Sequence, residues 1–76
     1  RVETTLAAVN AALELLKEDG LLTICVYPGH EEGTRELHAL LAWAAGLDVR
    51  AYNVLHHNFI AAKAGTPQLL LIQKNG

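Results

Sequence analysis

The chain has 76 residues, a formal net charge of −2 from six basic and eight acidic side chains, one cysteine and no methionine. Such a length allows one small domain with a thin core, burying roughly 60% of its unfolded surface. One cysteine excludes an intrachain disulfide, the absence of a Lys/Arg run argues against autonomous nucleic-acid binding, and no apolar run reaches the ~20 residues that cross a bilayer.

Hydrophobic residues make up 51% and charged residues 18%, against about 25% charged in typical chains. Apolar surface facing a partner, or another part of the same protein, would explain the excess. The chain opens on Arg1, as a processed or partial chain would. With no secretory signal in view, a cytoplasmic protein without a membrane segment is expected.

Leu6, Val9, Leu13 and Leu16 recur at helical spacing, with alanines between them. The spacing predicts a first helix capped by Thr4 or Thr5. Its end is expected near Lys17-Glu18-Asp19-Gly20, with Gly20 in the left-handed position. Leu21 to Tyr27 follows as a nearly all-apolar strand, the pattern of a strand covered on both faces, and Cys25 within it is expected to be buried and reduced. Pro28 and Gly29 stop the strand. A second helix begins near Gly33, carries Leu37, Leu40, Leu41 and Ala44 on one stripe, and ends at Gly46. Arg50 to Phe59 alternates as a moderately exposed strand. Ala61 to Thr66 is a loop, and Leu69 to Gln73 a last strand that pairs antiparallel with the one before it.

The order is helix, strand, helix, strand, strand, an α/β pattern in which a further strand is expected before the first helix. In open α/β sheets ligands sit beyond the carboxyl ends of the strands. There the chain places Tyr27-Pro28-Gly29-His30-Glu31-Glu32-Gly33. His30 can act as a base, donor or positioning group, because imidazole titrates near neutrality. Tyr27 can stack on a base, and Gly29 and Gly33 can let a ligand approach the backbone. Glu31 and Glu32 also suit the exposed amides of a helix start. Neither GxxxxGK[ST] nor GxGxxG is present. His56 and His57 point to opposite faces of a strand, so a shared metal is not expected, and His38 is a surface residue.

The run Gly20-Leu21-Leu22-Thr23-Ile24-Cys25-Val26-Tyr27-Pro28-Gly29-His30-Glu31-Glu32-Gly33 resembles the signature of the bacterial putative rRNA methylase family. The likeness takes in Glu3-Thr4-Thr5-Leu6, the Leu40 to Leu47 helix end and Phe59-Ile60. It implies a class I, Rossmann-like, S-adenosylmethionine-dependent methyltransferase, of which residues 1–76 are the C-terminal portion. This portion supplies the fifth strand, its flanking helices and the last two strands of seven. The cofactor-binding residues are implied upstream of residue 1, and no metal is implied.

The family implies transfer of a methyl group to the aminomethyl nitrogen of a tRNA wobble uridine, with tRNA as partner and a homodimer possible. His30 would be the catalytic residue, with Tyr27, Gly29, Glu31 and Phe59 at the substrate. Where the family carries amides after Phe-Ile, this chain has Ala61, Ala62 and Ala64, which removes side-chain hydrogen bonds. A small-molecule methyltransferase and a non-catalytic α/β interaction module are the competing readings.

Overall fold

The computed structural model describes all residues, Arg1–Gly76. Helix α1 spans Val2–Glu14, strand β1 Leu21–Val26, helix α2 Glu31–Ala45, strand β2 Tyr52–His57 and strand β3 Gln68–Lys74. The strand order is β1-β3-β2. The last strand therefore lies in the middle, antiparallel to both neighbours, with Ile24 and His56 each paired to Leu70. The expected antiparallel pairing of the last two strands is present. The insertion of β3 between β1 and β2 was not expected, because pairing partners depend on tertiary contacts that periodicity does not encode.

One core holds the layers together. Val9 of α1, Leu37, Leu40 and Ala44 of α2, Val26 of β1 and Leu70 of β3 form a single buried cluster. Side chains three and four apart share a helix face, so the stripes read from the sequence are the ones that meet the sheet. Two longer-range hydrogen bonds tie α1 to α2: the Thr5 hydroxyl donates to Glu36 Oε2 at 2.8 Å, and Trp43 Nε1 donates to Asn10 Oδ1 at 2.9 Å. Thr5 therefore does not cap its own helix. Arg1 is the cap residue, without a side-chain bond.

The end of α1 also departs from expectation. The helix stops at Glu14, and the left-handed residue is Asp19, with a φ of 64°, not Gly20. Aspartate tolerates that region better than most residues. Gly20 is needed for a different reason: a Cβ there would lie 2.7 Å from the Lys17 carbonyl oxygen. The turn is pinned to β3 by Asp19 N–H donating to Lys74 O and Lys74 N–H donating to Gly20 O, while Lys74 Nζ donates to Leu16 O.

Successive side chains of a strand alternate between faces, and the two faces of this sheet differ sharply. Leu70 and Ile72 are buried beneath the helices. Leu21, Thr23 and Cys25 of β1 and Leu55 of β2 lie exposed on the opposite face, beside half-buried Leu69 and Leu71. The expectation of a buried Cys25 is thereby corrected, for its side chain is exposed. Both helices lie on one side, so in residues 1–76 nothing covers the other. No helix is long and apolar enough to cross a membrane.

Candidate functional site

Strands β1 and β2 both end at the side of the sheet where β3 begins, since Val26 pairs with Gln68 and His57 with Leu69. The turn after β1 and the loop of residues 58–67 after β2 therefore emerge together. They touch at two glycines: a Cβ on Gly65 would lie 3.6 Å from the Cα of Gly29. Gly65 has a φ of +82°, a conformation open to glycine and strained for other residues. The Thr66 hydroxyl fixes this tip by donating to Lys63 O at 2.6 Å.

His30 is the N-cap of α2. Its extended backbone (φ −149°, ψ 173°) starts the helix, and its Nδ1 accepts the Gly33 N–H at 3.2 Å. The bond satisfies one of the free amides of the first turn, the service that Ser, Thr, Asp or Asn performs in most helices. The Thr34 hydroxyl donates to His30 O at 3.1 Å, adding a second tie across the same turn. Gly33 is buried where helix meets turn, and a Cβ on it would collide with the Tyr27 carbonyl oxygen.

A cavity of about 250 Å³ opens beside this turn, lined in part by Ile24, Cys25, Tyr27, His30, Glu36 and Leu40. Of the residues expected at the site, Tyr27 and His30 share this cavity. Gly29 instead meets the Gly65 tip. Glu31 is exposed on the first helical turn and does not line the cavity. Phe59 packs edge-on against His57, with ring centroids 5.1 Å apart, and is 55% exposed. Glu32 pairs with Arg35 at 3.0 Å on the helix surface.

The carboxylate that does line the cavity is Glu36, missed in the sequence. Its signal was present: Gly33, Glu36, Leu37 and Leu40 stand at the three- and four-residue spacing of one helix face. A larger apolar groove of about 350 Å³ runs between the end of α2 and β2, lined by residues that include Leu41, Leu47 and Val54 and by none of Tyr27, Gly29 or His30.

Tyr27 is 64% exposed. Its phenol is held above the usual value of 10.0, chiefly by a hydrogen bond with the Cys25 side chain two residues back and then by that group's negative charge. A raised value in an acid means that the neutral form persists to higher pH, so Tyr27 presents an O–H donor throughout the neutral range. Replacing Cys25 with alanine is expected to bring the Tyr27 ionisation midpoint back toward 10.0, read by the ultraviolet absorbance of phenolate in the variant and the parent. An unchanged midpoint would show that Cys25 does not govern the phenol.

Comparison with known proteins places this arrangement. Residues 1–73 match the family model described as Putative rRNA methylase. The chloroplastic tRNA (mnm(5)s(2)U34)-methyltransferase of Arabidopsis thaliana is 45% identical over 47 residues, which are 62% of this chain and 17% of that protein. The crystal structure of a putative rRNA-methylase from Clostridium thermocellum matches with a TM-score of 0.89 and 35% identity, covering 97% of this chain and 40% of the other. A putative methyltransferase from Streptococcus mutans, solved in complex with SAH, matches with a TM-score of 0.87 and 30% identity over the same shares. The chain thus spans less than half the length of each of these relatives. Its helix–strand–helix–strand–strand sheet is the corresponding part of a methyltransferase fold, and the chain belongs to the putative rRNA methylase family.

Proposed function

We propose that residues 1–76 form the substrate-side wall of an S-adenosylmethionine-dependent methyltransferase that acts on RNA, at the aminomethyl nitrogen of a tRNA wobble uridine. The observation that carries this reading is the meeting of the Tyr27–His30 turn with the 58–67 loop at the carboxyl ends of β1 and β2, where α/β folds bind ligands, in a member of this family. The Arabidopsis relative supports the wobble-uridine substrate, and the SAH in the Streptococcus mutans structure supports the methyl donor, since SAH is what that donor becomes after transfer.

The cavity beside the Tyr27–His30 turn does not fit the cofactor by itself. The cavity offers one carboxylate, Glu36, and its Oε2 is taken by the Thr5 hydroxyl. The cofactor contacts are assigned to an N-terminal part, with residues 1–76 as the C-terminal portion of one domain. S-Adenosylmethionine supplies an activated methyl group, and the amine needs placement more than covalent help from protein. Tyr27 and His30 would hold the nucleotide, the bare backbone of Gly29 would allow close approach, and Phe59 would give an exposed ring face. Glu31 would lie near an ammonium substrate before it loses its proton. Ala61, Ala62 and Ala64 are exposed on the loop and offer no side-chain hydrogen bond, so contacts there fall to the backbone and to Phe59.

The test is incubation of the complete protein with S-adenosylmethionine and tRNA bearing 5-aminomethyl-2-thiouridine, followed by mass spectrometry of the nucleosides. One added methyl group on that nucleoside is expected, with none on tRNA lacking the aminomethyl group. Residues 1–76 alone are expected to show no stoichiometric cofactor binding by calorimetry. Methylation of a small amine with none of tRNA would establish the small-molecule alternative and overturn this reading.

A further inference from the structure

The hydrogen bond that caps α2 also decides what His30 can do chemically. The Gly33 backbone N–H can only donate, so His30 Nδ1 must accept. A ring nitrogen that accepts carries no proton, and the neutral imidazole then holds its single proton on Nε2. Protonating Nδ1 would set one N–H against another and break the cap.

We infer that His30 meets the substrate as a hydrogen-bond donor through Nε2–H and is not the base that removes the amine proton. The inference rests on the methyltransferase reading of this turn and assigns the residue's part in it. The basic lone pair of the neutral ring belongs to Nδ1 and is occupied by the helix, which leaves Nε2–H as the group free for a ligand. The acceptor it suits is a neutral carbonyl oxygen of a pyrimidine. No lysine or arginine side chain lines the cavity, and Glu36 does, so a phosphate there would face a carboxylate with no basic side chain to hold it. The Tyr27 phenol lies with Cys25, on the sheet face away from the helices, so His30 is the side-chain donor assigned to this cavity. One donor at a base edge positions the nucleotide, and the amine must lose its proton elsewhere.

Two substitutions separate the ring's two nitrogens. In His30→Asn the short amide oxygen can take over the cap of α2, but nothing reaches the Nε2 position. In His30→Gln the longer side chain brings an N–H₂ toward that position and caps poorly. In the complete protein, His30→Asn is expected to melt near the parent and to lose about tenfold in kcat, the scale of one hydrogen bond. His30→Gln is expected to melt lower and to recover much of the turnover.

Nitrogen-15 spectra of histidine-labelled protein, with the His30 signals identified by their loss in the Asn variant, should show a protonated Nε2 and an unprotonated Nδ1. A protonated Nδ1 in the neutral ring, or wild-type kcat in His30→Asn, would overturn the assignment. Inorganic phosphate that shifts the Nε2 signal would overturn the carbonyl as acceptor. Failure of the methyltransferase reading shows separately, as wild-type protein that methylates no RNA. The tautomer spectrum still decides the donor assignment in that case.

Discussion

Replacing Leu70 with alanine should lower stability by about 3 kcal/mol, among the largest losses a single truncation in this chain can give. Leu70 is 1% exposed. It sits at the middle of the central strand, paired with Ile24 on one side and His56 on the other, and it belongs to the cluster that joins both helices to the sheet. Removing its branched end deletes apolar burial and leaves a cavity bounded by Leu40, which is itself 2% exposed, and its neighbours. Backbone pairing on both sides restrains β3 from moving in to fill that space. Urea unfolding of the complete protein should show a lower midpoint at an unchanged slope. A loss below about 1 kcal/mol would mean that the site collapses freely and that β3 does not anchor the core.

Leu71 supplies the control. It is one residue away, half-buried, and on the sheet's uncovered face. Within residues 1–76 its truncation should cost much less than that of Leu70. In the complete protein the two costs should converge if the rest of the chain covers this face. The near-continuous apolar sequence of β1 favours such cover.

Much of this arrangement was legible in the residues, and the exceptions share a cause. The stripe of Leu37, Leu40 and Ala44 identified the buried face of α2, because helical periodicity is local. Pro28-Gly29 marked the end of β1, because backbone restriction is local too. The central place of β3, the exposed side of Cys25 and the partner of Thr5 were not legible, since each depends on which elements meet in space. At the site, Tyr27 and His30 could be picked out by their place after a strand. The sequence did not show that His30 would use one ring nitrogen on its own helix. Carboxylates stood next to it as the expected partners of those amides, and Glu36, not Glu31, became the carboxylate beside it. Aspartate at the left-handed position in the turn after α1 was missed because Gly20, the residue that favours that region most, stands beside it.

Gly33→Ala should destabilise the protein by about 2 kcal/mol, and here the sign matters more than the size. Gly33 lies inside the first turn of α2 and has no positive φ. Helix propensity alone therefore predicts that alanine stabilises by about 1 kcal/mol. The packing predicts the reverse. A Cβ at this position would collide with the Tyr27 carbonyl oxygen, and the Pro28 Cα stands 3.3 Å away. Both obstacles are backbone, so no side chain can swing aside to make room.

The helix start would have to move away from the turn that carries Tyr27 and His30, stretching the Gly33 N–H to His30 Nδ1 bond at the same time. Thermal melts of Gly33→Ala and of an exposed alanine control, Glu31→Ala, should separate the two effects. The first should melt several degrees below the parent and the second close to it. Methyl transfer by Gly33→Ala should fall even at temperatures where the variant remains folded, because the displaced turn would move His30, the proposed donor. A Gly33→Ala variant that melts above the parent would show that the turn yields easily. The glycine would then be a tolerated defect in the helix and not the contact that seats α2 against the site.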